Sequence, residues 1–170
     1  RRWFLAGIIE GEGSVCISIK EHSSSKFGFY VDPEFFIYQK KEGLALLKLA
    51  KDVFGTGRIY PKPGNEDVLT FAITSRKSLM EKVVPFLKQY MTYSSRKKEY
   101  EIFCDVIERM ERKEHWTERG LADIVEKAYE MDPWSKGKDR KRTLDEVLDR
   151  ILRGHTPDSA QTKEKIWSSP

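Results

Sequence analysis

The sequence predicts an α+β fold in which an antiparallel sheet carries helices and a helical C-terminal extension follows. Three observations point there. Apolar residues recur at helical spacing within the first dozen positions. Two pairs of period-two segments follow, each pair joined by a short polar or Pro-Gly turn, with helical patterns between and after them. Helical periodicity then fills residues 95–153. In order the elements read helix, strand, strand, helix, strand, strand, helix, an αββαββα unit.

The 170 residues suit one domain: a core of about 1–93, an extension of about 94–153 and a tail of 154–170 that reads as extended or disordered. Charged residues make up 34%, no apolar run reaches membrane length, and no signal-peptide pattern is seen. Cys16 and Cys104 stand apart, which indicates neither a disulfide framework nor a zinc site, so a reducing, intracellular setting is expected. A net charge of +4 is too small to establish nucleic-acid binding; the distribution of charge matters more.

Trp3, Phe4, Leu5, Ile8 and Ile9 predict a short helix from almost the first residue, ended by Gly13. Gly7 and Gly11, four apart, share one face at a cost in helix propensity, as a close approach by another backbone would require. Glu10 and Glu12 fall at the C-terminal end, where the macrodipole disfavours negative charge, so a cation is expected nearby. An amphipathic helix with a glycine stop and two solvated glutamates fits the same spacing equally well.

Residues 14–20 alternate, with Val15, Ile17 and Ile19 on one face and Ser14, Cys16, Ser18 and Lys20 on the other. After a polar turn at 22–26, a second strand runs from 27 to about 39. Its Val31, Phe35 and Ile37 face in and Tyr30, Asp32, Glu34, Phe36 and Tyr38 face out, and Pro33 marks an edge position or a bulge. Residues 42–54 form an amphipathic helix stopped by Gly55. Strands 58–62 and 68–74 make the second hairpin, with Ile59, Leu69, Phe71 and Ile73 inward and Arg58, Tyr60, Lys62, Thr70 and Ala72 outward. Ser75 caps a helix to about Val84, broken by Pro85, and 86–91 is a further apolar turn.

The outward face gathers Ser18, Lys20, His22, Lys26, Tyr30, Asp32, Glu34, Phe36, Arg58, Tyr60, Lys62, Thr70 and Ala72, a surface from which bases and phosphates can be read. A solvated sheet face is the ordinary alternative. Helices follow over 95–113, 117–131 and 143–153, the last opened by a capping box between Thr143 and Glu146. Before it lies the basic run KGKDRKR. Lys138, Arg140, Lys141 and Arg142, with Lys136 and the helix N-terminus at Thr143, form a candidate grip on a phosphate backbone; a solvated basic loop is the equal alternative.

Residues 5–13, LAGIIEGEG, resemble the signature of the LAGLIDADG homing endonucleases, with Glu for Asp at both acidic positions. Phe27, Gly28 and VDPEF at 31–35 resemble the single-motif homodimers of that family, and the likeness extends over nearly the whole chain. The chain holds one copy of the motif, so the resemblance implies a homodimer whose first helices meet through Leu5, Gly7, Ile8 and Gly11. It further implies that Glu12 and the Gly11 carbonyl bind a divalent metal, Mg²⁺ by the chemistry of hard oxygen donors, and that Gln39 orders water at the scissile phosphate. A basic residue before the first C-terminal helix is also implied; Arg96, Lys97 and Lys98 are candidates, with Lys98 and Arg96 favoured jointly. A further basic residue has no clear counterpart, because Gly43 stands in the matching place and Lys41 lies closer.

The implied activity is that of a site-specific, metal-dependent double-strand DNA homing endonuclease, typically intron-encoded, each subunit cutting one strand of a pseudo-palindromic target. Two other classes share some of these features. One is a nucleic-acid-binding protein without catalysis, such as an intron-splicing maturase or a regulator. The other is a small dimerisation module, which would explain Gly7 and Gly11 but leave the basic sheet face without a use.

Overall fold

The computed structural model describes residues 1–131 and 141–153. Its elements are α1 (Arg2–Glu12), β1 (Gly13–Glu21), β2 (Phe29–Lys40), α2 (Leu44–Phe54), β3 (Arg58–Lys62), β4 (Asn65–Ile73), α3 (Arg76–Ser78), α4 (Val84–Tyr90), α5 (Lys97–Glu111), α6 (Glu118–Glu130) and α7 (Leu144–Leu152). The αββαββα order is as expected, and the four strands form one sheet in the order β1-β2-β4-β3. β4 pairs antiparallel with both neighbours, Phe35 opposite Ile73 on one side and Arg58 opposite Ala72 on the other.

The chain divides into two compact units. One comprises Arg1–Ile17 and Pro33–Glu108; the other comprises Ser18–Asp32 and the described residues from Arg109 onward. In the first, α1 turns Leu5, Ala6 and Ile9 into the core, and α2 contributes Leu47, Ala50 and Phe54. The Phe54 ring is central there, with centroids 5.5 Å from Phe35, 6.1 Å from Phe71 and 5.1 Å from Phe86. Offset and edge contacts of this kind add to the area buried. α2 ends at Gly55 in the left-handed region, φ 66°. At Gly57, φ is 106° and a Cβ would stand 2.4 Å from the Phe71 ring, so the chain can enter β3 only through a glycine.

Pro85 does not break its helix. α3, a π-helical turn at Leu79–Val83 and α4 run on continuously, with the Val84 amide donating to Leu79 O. The wide turn shifts the hydrogen-bond register just ahead of the proline, where the missing N–H of Pro85 would otherwise interrupt the α ladder. Ser75 holds the cap position, but its hydroxyl accepts no helix amide; its carbonyl receives Leu79 N at 2.8 Å. Pro33 lies in a strand that is interior to the sheet. The ladder to β4 starts only at Phe35, so the proline stands beyond it and removes no bond from that ladder.

In the second unit, Leu121, Ile124 and Val125 of α6 and Val147 and Ile151 of α7 are buried. Thr117 caps α6 by accepting Gly120 N at 3.1 Å, and Thr143 and Glu146 make the expected capping box. Glu21 at the end of β1 pairs with both Arg142 and Arg150, and the Arg150 guanidinium lies 5.3 Å from the Phe29 ring. The Glu21 carboxyl is held below its ordinary range, first by its hydrogen bond to Arg150. No helix among the described residues is long and apolar enough to cross a membrane.

Candidate nuclease site and nucleic-acid face

The end of α1 separates its two glutamates. Glu12 is exposed and has no partner among the described residues. Glu10 is fully occupied: Oε1 accepts Ser95 N at 3.0 Å and Ser95 Oγ at 2.6 Å, and Oε2 accepts the Ser94 hydroxyl. These donors, Ser94 foremost, lower the Glu10 pKa, with Arg96 the least of the causes. What stabilises Glu10 is therefore chiefly a pair of hydroxyls and an amide, where the helix-end position alone suggested a cation.

Arg96 is the basic candidate that reaches this place. Its Nη1 donates to Gly13 O at 2.5 Å, one residue past Glu12. Its Nε and Nη2 meet the Glu99 carboxylate at 2.8 and 2.6 Å, a bidentate pair that raises the guanidinium pKa further. Tyr100 lies beneath, its ring 5.2 Å from the guanidinium carbon and its phenol pushed up to about 12 by burial. Three of the five N–H bonds of Arg96 are thereby used and two remain. Lys98 is exposed with no partner among the described residues, and Lys97 sits 3.7 Å from Glu101. Gln39, at the end of β2, lies against Gly43, which begins the turn into α2.

The proposed contact face of α1 needs one correction. Leu5 is wholly buried in its own core with Ile9, so it cannot also meet a partner helix. The open stripe is Phe4, Gly7, Ile8 and Gly11, at spacings of three, one and three. Phe4 is 61% exposed, and a Cβ on Gly7 or Gly11 would meet nothing within 4 Å. Helical spacing included Phe4 but did not say which side of the helix it took.

On the outer sheet face of the first unit, Arg58 and Lys62 are exposed and Glu34, Phe36 and Tyr60 half-buried. Phe36 and Tyr38 stack at 5.9 Å, and Lys62 Nζ stands 4.8 Å from the Tyr38 ring centroid. Thr70 and Ala72 point to this face but are buried, contrary to expectation. β4 is interior, and its Thr70 is flanked by Tyr38 and Tyr60 while its Ala72 is flanked by Phe36 and Arg58, so the larger neighbours close over both. Thr70 Oγ1 has no hydrogen-bond partner among the described residues.

In the second unit, Lys20 is ion-paired with Asp32, and the exposed His22 ring has Nδ1 2.8 Å from Ser24 Oγ. Lys26 Nζ donates to Trp116 O at 3.5 Å and stands 4.8 Å from the Phe27 ring centroid. Tyr30 is exposed and Ser18 half-buried. Of the basic run, Lys138 and Arg140 lie outside the described residues, as does Lys136. Lys141 is exposed, whereas Arg142 is taken up by Glu21. The Thr143 amide donates to Glu146 Oε2 at 2.8 Å, so the capping box uses part of the helix terminus that a phosphate would need. A cavity of about 430 Å³ beside Lys141 and Arg142 is lined also by Ser18, Lys20 and Tyr129.

Residues 5–107 match the model of the LAGLIDADG endonuclease family. The chain is 51% identical over 88 residues to DNA endonuclease I-CeuI of Chlamydomonas moewusii, covering 52% of this chain and 40% of that protein. It is 30% identical over 147 residues to homing endonuclease I-ApeII of Aeropyrum pernix, covering 85% and 86% of the two chains. Among solved structures, the archaeal intron-encoded homing endonuclease I-Vdi141I complexed with DNA superposes with a TM-score of 0.82 at 30% identity, over 89% of this chain and 94% of that one. I-CeuI complexed with DNA gives 0.81 at 35% identity, over 88% and 75%. With the matched model spanning the motif, both hairpins and most of α5, the chain belongs to the LAGLIDADG endonuclease family.

Proposed function

We propose that this chain is a site-specific double-strand DNA homing endonuclease, intron-encoded and intracellular, that acts as a homodimer with each subunit hydrolysing one strand of a pseudo-palindromic target. The observation that carries this reading is the unpartnered, exposed carboxylate of Glu12 at the end of α1, beside an arginine anchored on Gly13 O. Among the described residues no three His, Cys, Asp or Glu side chains gather to form a metal cage. Glu12 and the Gly11 carbonyl offer hard oxygen donors, which suit Mg²⁺ kept partly hydrated and completed by phosphate oxygens. When bound, such an ion supplies an activated water and stabilises charge on the phosphate and the leaving oxygen.

The remaining work belongs to the side chains. Gln39 orients water through its amide, and the two spare N–H bonds of Arg96 meet charge developing on the phosphoryl oxygens. Lys98 is a second cation for the same backbone. Phe4, Gly7, Ile8 and Gly11 bring a second copy close enough to pair two such centres. Arg58, Tyr60, Lys62, Phe36, Tyr30, Lys20, Asp32, Glu34, Ser18, His22 and Lys26 face the duplex, and Lys141 holds its phosphates.

The test is cleavage of a duplex carrying the uninterrupted form of the gene in which the coding sequence is inserted, with and without Mg²⁺. The native chain is expected to cut both strands only with the ion. Glu12→Gln keeps the side chain's shape, loses the charge, and is expected to bind the same duplex without cutting it. Metal-dependent cutting by Glu12→Gln at the native rate would overturn the reading.

A further inference from the structure

The two glutamates of the motif do different jobs, and the contacts of Glu10 form a closed circuit. The carboxylate takes the Ser94 hydroxyl on one oxygen and both Ser95 donors on the other. Ser94 Oγ in turn accepts the Arg96 amide at 2.9 Å. Arg96 then reaches back to the end of the same helix through Nη1 and Gly13 O, while Glu99 fixes the other edge of its guanidinium. The circuit thus leaves α1 at Glu10, passes through the turn before α5 and returns to α1 one residue after Glu12.

We propose that Glu10, acting through Ser94, is a positioning residue that sets where Arg96 stands relative to Glu12. This rests on the reading above that Arg96 serves the phosphate. An ionised carboxylate accepts only, so all three of its donors are drawn one way, and charge-assisted hydrogen bonds are stronger than neutral ones. Ser94 cannot rotate away without giving up either its carboxylate or the Arg96 amide. Glu12 needs its charge open to a ligand; Glu10 needs its charge enclosed. The acid at position 10 is therefore mechanical, although it occupies a motif in which either carboxylate has suitable chemistry.

The experiment combines kinetics with a readout that requires neither metal nor DNA. Glu10→Ala, and Ser94→Ala as a milder break in the same relay, are measured for duplex affinity without divalent metal and for single-turnover cleavage. Both are expected to keep affinity within about threefold while slowing cleavage by about 10- to 100-fold, the size of effect that displacing a reacting group produces. In the DNA-free, metal-free protein, amide hydrogen exchange at Ser95 and Arg96 should quicken in Glu10→Ala, with core amides of α5 unchanged. Arg96→Ala should slow the native enzyme but add little to Glu10→Ala, since the arginine is already misplaced there. Glu10→Gln, which keeps one acceptor oxygen, should recover part of the rate.

Native-rate cleavage by both Glu10→Ala and Ser94→Ala, or losses that simply add to that of Arg96→Ala, would overturn the positioning role alone. If Arg96→Ala by itself cut at the native rate, the assignment of Arg96 to the phosphate would fall, and the positioning role with it.

Discussion

Gly43 leaves room for Gln39 and for nothing else: a Cβ on the glycine would stand 2.6 Å from Gln39 Oε1 and 3.1 Å from Gln39 Cβ. Gly43 has φ −84°, an ordinary value for any residue, so the requirement is spatial and not conformational. Gly43→Ala should therefore push the Gln39 amide out of its place while leaving the melting temperature close to native, because the atom in the way ends a flexible side chain. Single-turnover cleavage should fall by about tenfold or more, as for other small displacements of a group that orients water. Native cleavage by this variant would remove Gln39 from the site.

Gly7 tests assembly without a confounding fold defect. A side chain there meets nothing within the chain, and leaving glycine improves helix propensity by about 0.5 to 1 kcal/mol. Gly7→Leu should thus melt no lower as a monomer, yet sediment as a monomer at concentrations where the native chain is dimeric, and cut neither strand. Phe4→Asp should do the same by placing a charge in the stripe. A dimeric, active Gly7→Leu protein would show that the copies meet elsewhere.

Lys62 and Lys141 should fail in different ways. Lys62 is held over the Tyr38 ring on a strand, whereas Lys141 is an exposed loop residue. Lys141→Ala is expected to weaken all duplexes alike and lower the salt slope by roughly one unit, while Lys62→Ala costs about 1 to 3 kcal/mol and relaxes preference at a few base pairs. Both half-sites should respond, since one chain supplies both readers. Profiling each variant on a randomised target library at two salt concentrations decides the matter. A shift in base preference from Lys141→Ala alone would reverse the assignment.

Buried acids limit the protein at high pH. Burial raises the Cys104 thiol from 9.0 to about 12 and the Tyr100 phenol from 10.0 to about 12. Between those limits the unfolded chain releases protons that the folded chain retains, so stability is full below about pH 9 and declines as the pH rises toward 12. Urea midpoints measured across this range should fall steadily. Cys104→Ala should make the decline shallower while lowering stability uniformly through the small cavity it leaves. A slope unchanged by that substitution would exclude the thiol as a contributor.

The elements that local chemistry specifies were legible in the sequence: the capping box at Thr143, the Gly55 stop, the bounds of β3. What eluded reading depended on partners distant in the chain. Leu5 and Phe4 are both apolar at helical spacing, and only packing tells that Leu5 belongs to the core and Phe4 to the open stripe. Alternation put Thr70 on the correct face, but its burial follows from a register that sets it between Tyr38 and Tyr60. The donors that enclose Glu10 lie 84 and 85 residues away, with no signal near the motif to announce them. At Pro85 a sound local rule was overridden, because the preceding turn had already changed its hydrogen-bond period.

That turn also bears on how the helix can be compared with others and altered. Leu79–Val83 contains one residue more than an α turn needs, and everything after it is rotated by about 100° from where a regular helix would carry it. Deleting a single residue there would restore a regular period and swing Phe86 and Leu87, now buried, away from the core. A related helix lacking the extra residue should align with this one only across a one-position gap at 79–83. Substitutions along this helix should accordingly be better tolerated than changes of length.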